Sequence, residues 1–310
     1  MKIGIIGTGA VGGYYGALLV RHGLDVHFLI GSDFAHVRRE GLRVESKGGD
    51  MILPEILAYA RPEDMPPCDL VIVALKTTAN DHLQTILPHA ARPDATVVVL
   101  QNGLGVEEDI IRLLPKATVM GGLCFLCSNK VGPGHIRHLD YGSIRLGQHR
   151  PDGKPTGLTD ALQRIGRLFE CAGVEVHLTG DLGKARWEKL VWNMPFNGLS
   201  VILNADTREL MNSGSAEILL RDIMVEVIGA ARSCGHAIGD RFVEKMFAAT
   251  NAMVAYKPSM KLDYEAGRPM EIEMIYRRPI AAATAAGYQM IRSRLIALQL
   301  DYLDARNRVR

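Results

Sequence analysis

The stretch IGIIGTGAVG, from Ile3 to Gly12, decides the fold of the N-terminal half. Its first four residues form an apolar run that predicts a short buried strand. Tyr14–His22 has apolar residues at helical spacing, and Asp25–Ile30 predicts a second strand. A G-x-G-x-x-G sequence between a strand and a helix that leads to another strand is the fingerprint of a dinucleotide-binding βαβ unit.

Each glycine of this turn has a physical task. Gly7 permits a tight turn, Gly9 lets a pyrophosphate approach the backbone because it lacks a Cβ atom, and Gly12 allows the helix to pack closely on the strand. The helix N-terminus adds free N–H groups and the positive end of its dipole. A glycine-rich turn without a ligand is the alternative, but the strand–turn–helix context favours binding. The predicted cofactor-binding residues of the turn are Gly7, Thr8, Gly9, Ala10, Val11 and Gly12.

Two polar residues follow later strands of the same half. Lys76 comes directly after the apolar run Asp69–Leu75, and Asn102 follows Thr96–Gln101. In an open α/β sheet the ligand binds beyond the carboxyl ends of the strands. Both side chains are therefore candidate cofactor contacts. The spacing alone is equally compatible with a solvated lysine and with an ordinary Asn-Gly turn.

The second half of the chain has a different period. Gly134–Leu139 and Gly142–Gly147 are still strand-like and predict an antiparallel pair joined by a turn at Asp140-Tyr141. From Asp181 onward, apolar residues recur at three and four residues, which predicts helices. The predicted helices are Gly183–Val201, Ala216–Cys234, Arg241–Ala255, Glu271–Ala286 and Arg292–Arg306. Pro279 should kink the fourth of them because proline lacks an N–H group.

This change of period divides the chain in two. We predict an α/β Rossmann-type N-terminal domain over residues 1–180 and an all-α C-terminal domain over residues 181–310.

Composition and patterning exclude several classes of protein. The formal net charge of +2 gives no basic field for nucleic acid. No apolar run reaches the roughly 18 residues that cross a bilayer. Glycines interrupt the first apolar stretch, whereas the apolar region of a secretion signal is continuous. We therefore expect a cytoplasmic protein. The odd number of cysteines indicates reduced thiols. Cys124 and Cys127 lie in an apolar run and are expected to be packing residues, and no metal-ligand spacing is present.

Two polar clusters in the second half need an explanation. Lys189, Asn193 and Asn197 are four residues apart each time, so on a helix they form one polar stripe, framed by two tryptophans. The second cluster runs from Ser259 to Glu271 and is predicted to lie in a loop, because prolines and a glycine interrupt it. Helix capping and ordinary surface polarity are the alternatives for both clusters.

With these motifs in this order, the chain resembles the ketopantoate reductase family of the wider 6-phosphogluconate-dehydrogenase-like superfamily. The resemblance covers nearly the whole length and is most specific at Trp187–Asn197 and Ser259–Glu271. It implies a Rossmann domain followed by a helical domain. It also implies NADPH-dependent reduction of 2-dehydropantoate, a 2-keto acid, to (R)-pantoate in pantothenate and coenzyme A synthesis.

The resemblance also implies roles for individual residues. Lys189 matches the general acid of the family, and Glu271 matches the glutamate that supports it. Hydride addition leaves negative charge on the former carbonyl oxygen, and an ammonium group can polarise and protonate that oxygen. The residues that match substrate-binding positions are Asn193, Asn197, Ser259 and Asp263. Lys76 and Asn102 match cofactor contacts.

The cofactor preference is less clearly marked. The family prefers NADP, but Gly31 stands where many relatives have an arginine, and Asp33 follows. An acid near this point would favour the free ribose hydroxyls of NAD, whereas Arg38, Arg39 or Lys76 could still reach a 2′-phosphate. We expect NADP, with NAD as the alternative.

Two more hypotheses concern the activity itself: a reductase of another 2-keto acid, and a non-catalytic dinucleotide sensor. Both would keep the same fold. The apolar helices of the second half could support a homodimer.

Overall fold

The computed structural model describes residues 1–308. Its contacts form two compact units, one of residues 1–101 and 106–182, the other of residues 102–105 and the described residues from 183 onward. The strands are β1 Lys2–Ile6, β2 Asp25–Leu29, β3 Leu42–Ser46, β4 Met51–Leu53, β5 Leu57–Tyr59, β6 Cys68–Val73, β7 Ala91–Val99, β8 Thr118–Gly132, β9 His135–Gln148 and β10 Val176–Thr179. The helices of the first unit are α1 Ala10–Arg21, α2 Phe34–Glu40, α3 Leu83–Ala90, α4 Val106–Leu113 and α5 Asp160–Cys171.

The first unit is built on one ten-stranded sheet in the order β4-β3-β9-β8-β7-β6-β1-β2-β5, with β10 paired to β9. β1 pairs in parallel with β2 on one side and with β6 on the other. These central strands are buried along nearly their whole length. Burial on both faces explains why they are continuous apolar runs instead of alternating ones. The Rossmann-type prediction is confirmed.

One prediction in this unit is wrong. Gly134–Leu139 and Gly142–Gly147 are not two paired strands but parts of the single strand β9, which pairs antiparallel with β8. Tyr141 and Gly142 have positive φ, and the pairing register shifts at this point. A β-bulge and a turn both select residues that tolerate positive φ, so the sequence of the bulge resembles that of a turn.

The second unit is helical, as predicted. Its helices are α6 Leu182–Ile202, α7 Thr207–Asn212, α8 Gly214–Ser233, α9 Phe242–Ala252, α10 Ser259–Glu265, α11 Arg278–Ala285 and α12 Ile291–Arg308. α6 runs through its core and buries Trp187, Val191 and Phe196 among other side chains. Within residues 1–308, no helix combines the length and the hydropathy that crossing a membrane requires.

Two predictions in this unit need correction. Ser259–Glu265 is the short helix α10 and not a loop. The predicted helix Glu271–Ala286 is helical from Ile272 to Ala285, but it contains a π-helical turn, Glu273–Arg277, that leads directly into α11, in which Pro279 is the second residue. The backbone stays helical through the junction, with φ −65° and ψ −46° at Arg277. Because proline lacks the N–H that would continue the hydrogen-bond pattern, Pro279 accounts for the irregular turn just before it.

Candidate functional site

The glycine turn between β1 and α1 has the shape of a dinucleotide cradle. Gly7 has φ +98°, and a Cβ atom there would lie 2.6 Å from the Leu75 amide nitrogen. A Cβ atom at Gly12 would lie 2.1 Å from the Gly7 carbonyl oxygen. At Gly9, by contrast, a Cβ atom would meet no neighbouring heavy atom within 4 Å. The sequence therefore keeps two glycines for packing and one where the backbone is accessible to a ligand.

The first turn of α1 is suited to an anion. Gly9 caps the helix without a side-chain hydrogen bond, and no acidic residue occupies the first turn. The Thr8 hydroxyl donates to the Leu29 carbonyl at 3.3 Å, and the Ser128 hydroxyl donates to the Ala10 carbonyl at 3.1 Å. These two hydrogen bonds fix the turn, and both are accepted by carbonyl oxygens and not made to the N–H groups of the helix N-terminus. A pyrophosphate fits such a site because unshared N–H groups and the helix dipole both favour negative charge.

A buried glutamine that the sequence analysis missed joins the ends of β6 and β7. The Gln101 amide nitrogen donates to the Leu75 carbonyl at 2.9 Å and to the Asn80 side-chain oxygen at 2.6 Å. Lys76 follows Leu75 directly and is exposed. The only signal in the sequence was the position of Gln101 beside Asn102. Its hydrogen bonds hold the backbone that carries Lys76.

Asn102 begins a short segment, residues 102–105, that packs within the helical unit. The Leu104 amide donates to the Met274 carbonyl at 2.9 Å. In the π-helical turn this carbonyl would need the N–H of Pro279, five residues on, and proline has none. The Arg278 guanidinium also donates to the Gly105 carbonyl at 2.7 Å. The π-helical turn thus supplies the acceptor that anchors the backbone beside Asn102.

α6 carries the predicted polar stripe. Lys189 is half-buried, while Asn193 is 6% exposed and Asn197 is 3% exposed. Burial of two adjacent amides excludes the alternative of an ordinary solvated face, because buried amides need partners. The Asn197 side-chain oxygen accepts a hydrogen bond from the Met260 amide at 3.3 Å. This contact joins the end of the stripe to the start of α10.

The Ser259–Glu271 cluster begins at that point. Ser259 is the first residue of α10 and is half-buried. Asp263, one turn later and 3% exposed, accepts a hydrogen bond from Arg268 Nε at 3.0 Å. Glu271 is 4% exposed and directly precedes the helical residues that lead into the π-helical turn. Asn197 and the start of α10 are therefore in contact, and Asp263 forms an ion pair with Arg268.

Lys261 is a further buried ion that the sequence analysis did not single out. Its side chain is 2% exposed, contacts the Asn204 side-chain oxygen and lies 3.4 Å from Glu265. Burying an ammonium without a partner is costly, so these contacts account for its position. Lys261 therefore stabilises α10 against the chain that follows α6. Among residues 1–308, no cluster of three or more metal-ligating side chains is present.

The fold and the glycine cradle are typical of a dinucleotide-binding protein with a helical second domain. The family model described as "Ketopantoate reductase PanE/ApbA" matches residues 3–151, and "Ketopantoate reductase PanE/ApbA C terminal" matches residues 181–301. The chain belongs to the ketopantoate reductase family.

Known proteins agree with this assignment. The chain is 49% identical over 307 residues to a 2-dehydropantoate 2-reductase of Nostoc sp. strain PCC 7120, covering 99% of this chain and 96% of the relative. The crystal structure of 2-dehydropantoate 2-reductase from Geobacter metallireducens GS-15 superposes with a TM-score of 0.91 at 40% identity, covering 97% of this chain and 99% of that one. D-mandelate dehydrogenase with NADH and anilino(oxo)acetate shares the fold, with a TM-score of 0.90 at 21% identity and 99% of each chain covered.

Proposed function

We propose that this chain reduces 2-dehydropantoate to (R)-pantoate with NADPH, as a cytoplasmic step of pantothenate and coenzyme A synthesis. The observation that carries the proposal is the 49% identity to a 2-dehydropantoate 2-reductase over nearly the whole of both chains. In this proposal residues 1–180 bind the dinucleotide and residues 181–310 bind the substrate. The cofactor-binding residues are Gly7, Thr8, Gly9, Ala10, Val11, Gly12, Lys76 and Asn102.

Lys189 is the proposed general acid. The nicotinamide, when bound, supplies a hydride. Reduction at C2 of a 2-keto acid places negative charge on the former carbonyl oxygen, which then needs a proton. The half-buried Lys189 ammonium on α6 can polarise that oxygen and protonate it. The Glu271 side chain is buried. Its carboxylate is proposed to hold the Lys189 ammonium by a charge-assisted hydrogen bond.

The neighbouring polar residues are proposed to bind the substrate. Because the Asn197 side-chain oxygen accepts from the Met260 amide, the amide nitrogen is the end that can donate to a substrate oxygen. Asn193, one turn earlier on α6, can donate in the same way without adding charge. Ser259 can donate to the substrate carboxylate. Asp263 is proposed to fix the helix that carries Ser259, through its ion pair with Arg268.

A panel of 2-keto acids tests this proposal. The purified chain should consume NADPH with 2-dehydropantoate faster than with pyruvate, 2-ketoisovalerate or phenylglyoxylate, followed at the nicotinamide absorbance band. Parallel reactions with NADH at equal concentration measure the cofactor preference, which should favour NADPH. Higher activity on another keto acid would identify a reductase of that substrate. If no keto acid consumed either nucleotide, the enzymatic proposal would be wrong.

We also propose a homodimer formed through α12. This helix exposes Leu295, Leu298 and Tyr302, which border a surface groove together with Ile202 and Leu303. Contiguous exposed apolar side chains commonly mark an interface, and a second copy would present the same surface to it. The parent chain should sediment as a dimer and Leu298→Lys as a monomer. The matched control is Leu158→Lys, at a leucine of the other unit that is exposed to the same extent as Leu298. This variant should sediment like the parent chain.

A further inference from the structure

The acidic residue near the end of β2 is not presented to a ligand. In Rossmann folds that bind NAD, an acid at this end of the second strand binds the ribose hydroxyls. Asp33 is the acid of that region in this chain, four residues after β2 ends at Leu29. It is only 8% exposed, whereas the adjacent Gly31 and Ser32 are exposed. The carboxylate is therefore turned into the protein.

Both carboxylate oxygens of Asp33 have partners within the first unit. One oxygen lies 2.6 Å from the Lys130 ammonium and accepts a hydrogen bond from the Gly134 amide at 2.9 Å. The other accepts from the Ser32 hydroxyl at 3.2 Å. Lys130 lies near the end of β8, and Gly134 lies in the turn that leads to β9. The neighbouring Ser32 and two residues distant in sequence, Lys130 and Gly134, thus use the acceptor sites that ribose hydroxyls would need.

The charge of Asp33 is also compensated. Burial by itself would raise the pKa of Asp33, but the hydrogen bonds from Lys130 and Gly134 outweigh burial, and the pKa lies below its usual value. The carboxylate is thus ionised at neutral pH and paired with one ammonium. A neutral pair repels an incoming 2′-phosphate far less than a free carboxylate would.

We propose that Lys130 determines cofactor preference by holding Asp33 away from the adenosine ribose. Lys130 is thus a positioning residue: it removes an NAD-favouring acid without itself binding the nucleotide. This inference rests on the dinucleotide binding proposed above.

A double-mutant cycle measures this effect by binding and not by turnover. NADP⁺ and NAD⁺, which differ only in the 2′-phosphate, are titrated by calorimetry against the parent, Lys130→Met, Asp33→Asn and the double variant. Lys130→Met should release Asp33 and shift the NADP⁺/NAD⁺ affinity ratio about tenfold toward NAD⁺, the value of one charge-assisted hydrogen bond. Asp33→Asn should keep the parent ratio, and in that background Lys130→Met should have no further effect.

Three results would overturn the inference. The first is an equal shift from Lys130→Met in both backgrounds, which would mean that Lys130 contacts the phosphate directly. The second is an unchanged ratio in Lys130→Met. The third is a parent chain that binds neither dinucleotide, which would also refute the proposed function and so is distinguishable from the other two. Lys116→Met, at an exposed lysine of the same unit, controls for general charge, and thermal unfolding of each variant verifies that it is folded.

Discussion

Gly103→Ala should break the anchor beside Asn102. Gly103 has φ +98°, and a Cβ atom there would lie 2.4 Å from the Met274 carbonyl oxygen. A left-handed backbone costs a residue with a Cβ atom about 1–2 kcal/mol. The methyl group would also displace the Met274 carbonyl from the Leu104 amide, a hydrogen bond of 2.9 Å that contributes about 1 kcal/mol. We therefore expect a loss of about 2–3 kcal/mol in the free energy of unfolding.

Gly235→Ala is the matched control for this change. Gly235 has φ +88°, and nothing lies within 4 Å of a Cβ atom placed there. This variant should therefore lose only the backbone cost of about 1–2 kcal/mol and keep parent kcat/KM. Gly103→Ala should in addition lower kcat/KM, because the backbone of Asn102 moves. Denaturant unfolding and steady-state kinetics on both variants make the comparison. Equal stability of the two variants, with parent kinetics in both, would refute the anchoring role.

Two further predictions concern stability and thiol chemistry. Glu226 is 5% exposed and accepts hydrogen bonds from the backbone amide and the hydroxyl of Ser293 at 2.8 and 2.7 Å. Because Glu226→Ala leaves these buried donors without their acceptor, it should lower the free energy of unfolding by about 2–4 kcal/mol. An unchanged denaturant midpoint would contradict this prediction. Burial raises the pKa values of Cys68 and Cys127 to about 11, so at pH 8 only about one molecule in a thousand carries either thiolate. The exposed Cys171 should therefore be alkylated first, and Cys68 and Cys127, which are 0% and 3% exposed, should be labelled slowly at pH 8. Fast labelling of Cys68 or Cys127 at pH 8, located by peptide mapping, would be the contrary result.

Local signals were sufficient to predict the first strand and the glycine turn of the first unit. The run Ile3–Ile6 predicted β1 because a parallel strand buried on both faces needs continuous apolar residues. The glycine turn was predictable because its requirements are local: positive φ at Gly7 and a close helix–strand approach at Gly12. The polar stripe of α6 was predictable for the same reason, since helical spacing alone places its side chains on one face.

What the sequence could not predict depends on contacts between distant residues. α10 has only seven residues, too few for a periodic pattern to appear. The π-helical turn is stabilised by the Leu104 amide, which is far from Met274 in the chain. The acid Asp33 favours NAD when only the sequence is considered, but in the structure Lys130 and Gly134 both bind one of its carboxylate oxygens.

The kinetics of Lys189→Ala test the central claim most directly. If Lys189 protonates the developing alkoxide, kcat with 2-dehydropantoate should fall about 10²–10⁴-fold, the usual contribution of a general acid. Calorimetric affinity for NADP⁺ should stay at the parent value. Lys245→Ala, at an exposed lysine of α9, should leave both quantities unchanged. A Lys189→Ala variant that reduced 2-dehydropantoate at the parent rate would contradict the account.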